Sequence, residues 1–339
     1  MRALVYEGPG AVHFREVDDP VISSDLAALV RPTTVATCDL DRHLVRGLPG
    51  FDGPFVLGHE MVAEVVAIGE GVVDHRPGDL VAVSYQISCG TCRMCRKGVT
   101  SACRSVAKTS TYGLGAAAGN WGGALADLVA VPYADVMLDA IPDGVCARQA
   151  ASASDNVNDA YRCVAPGLAA EPGAPVLVVG NGAIALMAAD CARRLGSEHV
   201  VLCSQQEDVL GRAEALGIEV HAVERWPDRM PNHPITVDCT SDADGLRGVV
   251  ASTEAGGTCT SASMHIADVT LPMWSMYMKG ITLCTSRTQG AAQQALVLDA
   301  IARGDIDVMV TDPQIVAWDD APDALLGDAL KSIIERSPA

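Results

Sequence analysis

The chain has 339 residues, 49% of them hydrophobic and 19% charged, which excludes a mainly disordered chain and supplies apolar material for two domains. Only 4% is aromatic, so a core must be built from Ala, Val, Leu and Ile. Against 24 Lys and Arg stand 42 Asp and Glu, a formal charge of -18 that argues against nucleic acid or an anionic membrane as partner.

In chain order, residues 3–6, 27–30, 62–68 and 80–84 are β-rich runs punctuated by Gly-Pro, Pro-Gly and Asp-Gly turns, which predicts an all-β module. The opening MRALVYEGPG lacks the apolar core of a secretory signal, and the longest apolar stretch, 174–189, is interrupted by Gly180, Asn181 and Gly182. A cytoplasmic chain without a membrane span is the expectation. Near residue 150 the character changes. Residues 150–164 hold no Gly or Pro and predict a helix, which Pro166-Gly167 should end. The apolar run Val176-Leu177-Val178-Val179 predicts a buried parallel strand. A helix to Leu195, a strand at 199–203, a helix at 208–216 and strands at 235–239, 258–261 and 281–284 follow. Strands alternating with helices predict a doubly wound parallel sheet. The tail reads as two helices, 291–302 and 320–334.

Cys89, Cys92, Cys95 and Cys103 follow the pattern C-x2-C-x2-C-x7-C. Four thiolates so spaced can surround zinc tetrahedrally. Gly90 and Gly98 supply the sharp turns, and Arg93, Arg96, Lys97 and Arg104 offset the negative charge of the site. A ferredoxin-like loop begins similarly, but its last Cys comes sooner and is followed by Pro. The reading is a closed, structural zinc site. Cys38 in VATCDLDRH and His59 in Gly58-His59-Glu60 are each, taken singly, better read as core residues than as ligands. Their joint presence ahead of the four-cysteine loop gives them weight. Further on, Gly180-Asn181-Gly182-Ala183-Ile184-Ala185 is G-x-G-x-x-A directly after a strand and at the start of a helix. Gly180 permits the tight turn, Gly182 admits a pyrophosphate at the helix N-terminus, and Ala185 packs the helix on the sheet. The acid that would hold the ribose of NAD about twenty residues on is missing, because the second strand ends at Ser204. That leaves room for a 2′-phosphate, whereas Glu207 and Asp208 nearby would repel one. The lean is weakly to NADP over NAD.

The order Cys38, Gly58-His59-Glu60, four-cysteine loop, then Gly-rich strand–turn–helix resembles the zinc-containing medium-chain dehydrogenase/reductase (alcohol dehydrogenase) family over essentially the whole chain. SCGTCRMCRKG and VPYADVMLDAIPDG are most like its bacterial alcohol and threonine dehydrogenase-like branch. The resemblance implies an α/β protein. A GroES-like β catalytic domain would cover residues 1–154, completed by 286–339, and a Rossmann doubly wound parallel-sheet cofactor domain 155–285. It implies a catalytic zinc beside the structural one, two per chain. Cys38 and His59 match two of its ligands, the stretch ASDNVNDAYRC places the third at Asp155, and Glu60 stands beside the metal. It further implies hydride transfer between a nicotinamide and a small-molecule alcohol or carbonyl substrate, in a homodimer or homotetramer.

Three residues depart from the family. Leu40 stands where a Ser or Thr commonly passes on the substrate proton, Asp39 where Gly or a basic residue is frequent, and Asp159 where Thr often touches the nicotinamide. In one continuous helix Asp155 and Asp159 would share a face. His43 keeps a relay position. His43, Asp159, Glu60 and Asp39 are therefore the candidates for proton handling, and an amino-alcohol or iminium substrate would suit the added carboxylates. The alternative is a non-redox enzyme using zinc as a Lewis acid for elimination or cyclisation. Trp121 is a candidate pocket cover. Met264 and His265 are expected near the nicotinamide, and Trp274, Met276, Tyr277 and Met278 in core or subunit packing.

Overall fold

The computed structural model describes residues 1–337. They form two compact units: Met1–Asn158, Thr288–Arg303 and the segment from Asp312 onward make the first, and Asp159–Arg287 with Gly304–Thr311 the second. The expected first-domain segment 286–339 is thus corrected at 304–311, where Val308 and Thr311 are buried in the second unit. The expected boundary at 154/155 moves to Asn158/Asp159.

The chain opens with strands β1 (Arg2–Gly8), β2 (Ala11–Glu16), β3 (Ala28–Ala36), β4 (Phe55–Val56), β5 (Glu60–Ile68), β6 (Leu80–Val83), β7 (Val129–Val131) and β8 (Leu138–Ala140). Then come β9 (Val176–Gly180), β10 (Val200–Ser204), β11 (Glu219–Ala222), β12 (His233–Cys239), β13 (Thr253–Ser261) and β14 (Thr282–Thr285). Strands β15 (Gln314–Ala317) and β16 (Ser332–Glu335) close it.

In the first unit β2-β1-β4 form a small sheet, and β15-β16-β3-β5-β6-β8, with β7 on β3, a larger one. Leu4, Val30, Val35, Met61 and Val83 are buried together in one core with Leu44 and Ile334. Val and Ile recur because β-branched side chains suit a pleated, half-buried surface. The registers matter for chemistry. β3 and β5 run antiparallel with Ala36 opposite Glu60, and β16 lies antiparallel on the other side of β3 with Ile333 opposite Ala36. The ends of three strands therefore meet.

The second unit is one parallel sheet in the order β11-β10-β9-β12-β13-β14. β9 is buried at every position, as its unbroken apolar run predicts. The helix Ala183–Arg194 follows it directly.

Two expectations are corrected. The helix expected at 150–164 is broken: Ala147–Ala150 is one short helix, residues 151–155 are turns, and a second helix runs Asn156–Ala170 straight through Pro166. Gly167 does not end the helix; it lies against the Ile235 side chain, whose Cδ1 a Cβ would meet at 2.8 Å. The tail helix expected at 320–334 is also broken. Helix ends at Leu326, and Ser332–Glu335 is strand, because pairing with β3 and β15 outweighs local propensity. Among the described residues no helix is long and apolar enough to cross a membrane.

Candidate metal centres and dinucleotide turn

Cys38 lies two residues past β3, and His59 immediately before β5, so the β3–β5 register brings them to one end of the sheet. Cys38 is the extended N-cap of the helix Asp39–Val45. Asp155 sits in the turn ahead of Asn156–Ala170. One donor atom from each of Cys38, His59 and Asp155 lies within 4.8 Å of the others. His59 Nε2 is 3.3 Å from Asp155 Oδ2, and His59 Nδ1 is 3.3 Å from Asp41 Oδ1. Asp41 also accepts the Cys38 backbone N–H at 2.9 Å. One oxygen of Asp41 thus faces the imidazole while the other pins the cysteine.

Burial dominates the electrostatics. It pushes the Cys38 thiol up to about 12, with the Asp155 charge adding to the rise. Burial opposes a proton on His59, yet the Asp41 charge and contacts to Asp155 hold its pKa well above the ordinary imidazole value. Burial likewise opposes ionised Asp155, but His59 and then Lys331 keep its carboxyl below the ordinary range. Sulfur, nitrogen and oxygen donors crowded together in low dielectric are the donor set of an open-sided zinc site, and a divalent cation would relieve the proton imbalance among them. The residues fit that ion.

Glu60 does not belong to the converging trio. It is fully buried, and its carboxylate accepts from Ser152 Oγ at 2.7 Å, Lys331 Nζ at 2.8 Å and the Asn156 backbone at 2.8 Å. Burial raises its pKa, and the Lys331 charge resists that rise. Asp41, Ser152, Asn156 and Lys331 are the residues that sequence reasoning missed. Asp41 had a signal, since a carboxylate three residues after an N-cap can reach back to the cap N–H. Lys331 had none, because it fell in a tail read as helix, where lysine ordinarily faces solvent.

The proton-handling candidates scatter. Asp39 pairs with Arg42 on the same helix, and Asp159, in the second unit, with Arg162 Nε at 2.5 Å. The single helix expected through both Asp155 and Asp159 is not formed, because Asp155 lies in the turn just before the helix that carries Asp159. Leu40 packs against the first unit's core, and His43 is exposed. Trp121 packs against the same core. In the second unit His265 Nε2 contacts Asp238 Oδ2 at 3.1 Å. Of the Trp274–Met278 group only Met276 is buried; Trp274 and Tyr277 are 74% and 77% exposed.

Donor atoms of Cys89, Cys92, Cys95 and Cys103 also lie within 4.8 Å of one another. Gly90 and Gly98 are both left-handed, at φ 70° and 76°, and at Gly90 a Cβ would lie 2.6 Å from Val136. The backbone of Cys92 and the hydroxyl of Ser105 donate to Cys89 Sγ at 3.3 and 3.1 Å, and Arg104 N donates to Cys92 Sγ at 3.4 Å. Burial opposes the Cys89 thiolate, but the bonds it accepts from Ser105, Thr91 and the Cys92 backbone bring its pKa down to about 5. A loop that aims N–H and O–H groups at its sulfurs is built for thiolates.

At the dinucleotide turn, a Cβ on Gly180 would lie 2.5 Å from Cys239 Cβ, so only glycine fits. Gly182 is the extended N-cap of Ala183–Arg194, with no side chain capping the first turn. The helix therefore offers its first N–H groups to an anion. Ala185 is fully buried, as close helix–sheet packing needs. The Ser204 hydroxyl is engaged locally, donating to Asn181 Oδ1 at 3.0 Å and accepting from Gln206 N at 3.1 Å.

Comparison with known proteins agrees with this anatomy. The alcohol dehydrogenase GroES-like domain family matches residues 24–143. A glutathione-independent formaldehyde dehydrogenase of Pseudomonas aeruginosa is 32% identical over 291 residues, spanning 80% of this chain and 70% of that protein. A probable zinc-binding alcohol dehydrogenase of Mycobacterium tuberculosis is 30% identical over 289 residues, 84% of this chain and 73% of the other. Among solved structures, the alcohol dehydrogenase TADH of Thermus sp. ATN1 has a TM-score of 0.89 at 28% identity, covering 99% of this chain and 100% of that one.

Proposed function

Because the chain belongs to the zinc-containing medium-chain dehydrogenase/reductase (alcohol dehydrogenase) family and is an oxidoreductase, we propose that it moves a hydride between a nicotinamide dinucleotide and the carbon of an alcohol or carbonyl substrate. In this reading Cys38, His59 and Asp155 hold one zinc, and Cys89, Cys92, Cys95 and Cys103 hold a second. The observation that carries it is the buried convergence of Cys38, His59 and Asp155, residues far apart along the chain. When bound there, zinc supplies Lewis acidity that acidifies an alcohol and polarises a carbonyl, and the dinucleotide gives or takes the hydride.

The protein's own residues position and insulate. Asp41 orients the His59 ring through Nδ1, the usual task of a carboxylate behind a ligating histidine. The Tyr85 ring lies 5.7 Å from His59 and its hydroxyl is tied to Thr288 and Gln86, which shields one side of the imidazole. Lys331 neutralises Glu60, so that carboxylate adds no net charge behind the site. The exposed imidazole of His43 is the group that exchanges a proton with solvent, since Leu40 has no hydroxyl to pass one on.

Asp39 and Asp159 each already face a guanidinium, which favours a neutral alcohol or carbonyl substrate over an amino alcohol or iminium. The uncapped turn after β9 favours redox chemistry over elimination or cyclisation. NADP over NAD is supported by Ser204 in place of an acid and by exposed Arg225, three residues beyond Ala222, which pairs with Ser204 across β10 and β11. A homodimer or homotetramer is supported by β14, an edge strand, beside exposed Trp274, Tyr277 and Met278. The reading is tested by titrating NADH and NADPH against protein and cofactor fluorescence. Saturable binding of at least one, tighter for NADPH, is expected; binding of neither contradicts it.

A further inference from the structure

Lys331 is buried, and the three hydrogens of its ammonium meet three acceptors: Thr37 O at 2.7 Å, Glu60 Oε2 at 2.8 Å and Asn156 Oδ1 at 2.9 Å. An ammonium can only donate, so it is the amide oxygen of Asn156 that must face it. The amide nitrogen is thereby turned the other way. Asn156 Nδ2 lies 3.2 Å from Cys38 Sγ and 3.2 Å from Asp155 Oδ2, giving two N–H groups for two acceptors. The backbone of Asn156 is fixed as well, since its N–H donates to Glu60 Oε1 at 2.8 Å, and the residue is 2% exposed. An amide held at both ends and aimed at two anionic ligands is preorganised.

We propose that Asn156 is a positioning residue, locked by Lys331, that hydrogen-bonds the Cys38 thiolate and the Asp155 carboxylate together and so sets both the geometry and the electron donation of two of the three zinc ligands. The inference rests on the reading of Cys38, His59 and Asp155 as a zinc site. A donor on the sulfur draws charge from it, leaving more positive charge on the metal. Asp41 serves His59 in the corresponding way, so two orienting residues between them reach all three ligands.

The test uses the full chain with cobalt in place of zinc, in four forms: wild type, Cys38→Ser, Asn156→Leu and Asn156→Asp. The Cys38→Ser form identifies which part of the thiolate-to-cobalt charge-transfer absorption belongs to this site and which to the four-cysteine loop. Leu matches Asn in size without polar atoms, whereas Asp keeps a partner for Lys331 but has no N–H to give. In both Asn156 forms the Cys38-dependent band should move to longer wavelength, and metal affinity, read by transfer to a chelator, should fall about 10–100-fold. The four-cysteine band should stay in place. If Asn156→Leu does not fold, Asn156→Asp decides, because it retains the backbone bond and the Lys331 contact. A band at the wild-type position with wild-type metal retention in folded Asn156→Asp protein overturns the proposal. Absence of any Cys38-dependent band in the wild type overturns the zinc reading itself, and is seen without any Asn156 variant.

Discussion

Asp41 is a carboxylate whose place explains its effect. It stands behind His59 and under Cys38 at once, so its removal loosens two ligands together. The Asp41→Ala variant should lose about 10–100-fold in affinity for the metal, with kcat/KM falling at least in step, while the four-cysteine site keeps its ion. Metal analysis after mild chelation checks this. A second, half-buried carboxylate has a cost with no bearing on chemistry. Burial raises the pKa of Asp139, while the hydrogen bond from Gln294 Nε2 at 2.8 Å and the nearby His75 only partly oppose it. A carboxyl whose folded pKa exceeds its unfolded value favours the protonated chain, so it destabilises the fold as pH rises past the unfolded pKa of about 3.9. The Asp139→Asn variant should therefore melt higher than wild type at pH 7, and the two curves should converge below about pH 4. A difference that persists unchanged into acid would mean that ionisation is not the cause.

Elements were legible where chemistry or periodicity is local. The run Val176–Val179 with its Gly-rich turn announces β9 and the following helix, and the four cysteines announce their loop, because each signal is complete within a few residues. Elements set by distant pairing were not. Ser332–Glu335 is strand only because β3 and β15 flank it, and no local pattern marks that. Missing the strand meant missing Lys331, and with it the network behind Glu60. The break before Asp155 did have a local signal, which the absence of Gly and Pro outweighed: Ser152, Ser154, Asp155 and Asn156 are residues that favour turns. Cys38 and His59 gained weight from their company in the sequence, but the register of β3 on β5 explains why they meet. At the dinucleotide turn the expectation is sharp. Gly180→Ala would press a methyl onto the backbone and Cβ of Cys239. It should cost about 1–3 kcal/mol of stability and abolish dinucleotide binding, with both metals retained, as calorimetry and metal analysis would show.

At the scale of the whole molecule, two units of different architecture carry different candidate sites: a β unit with both clusters that could hold a metal, and a parallel sheet with the Gly-rich turn. The charge of -18 keeps copies apart, so self-association needs an apolar contact. Exposed Trp274 stacks on Tyr277 at 5.8 Å, and in the proposed oligomer this pair would supply one. Trp274→Glu should lower the sedimenting mass of the native protein while leaving its circular dichroism intact; an unchanged mass would place the interface elsewhere.

Diffraction at the zinc absorption edge from zinc-loaded crystals tests the central claim most directly. The account predicts two anomalous peaks per chain, one bonded by four cysteine sulfurs and one bonded by Cys38 Sγ, a nitrogen of His59 and a carboxylate oxygen of Asp155. A single peak in the four-cysteine loop, with no metal bonded to those three side chains, would contradict it.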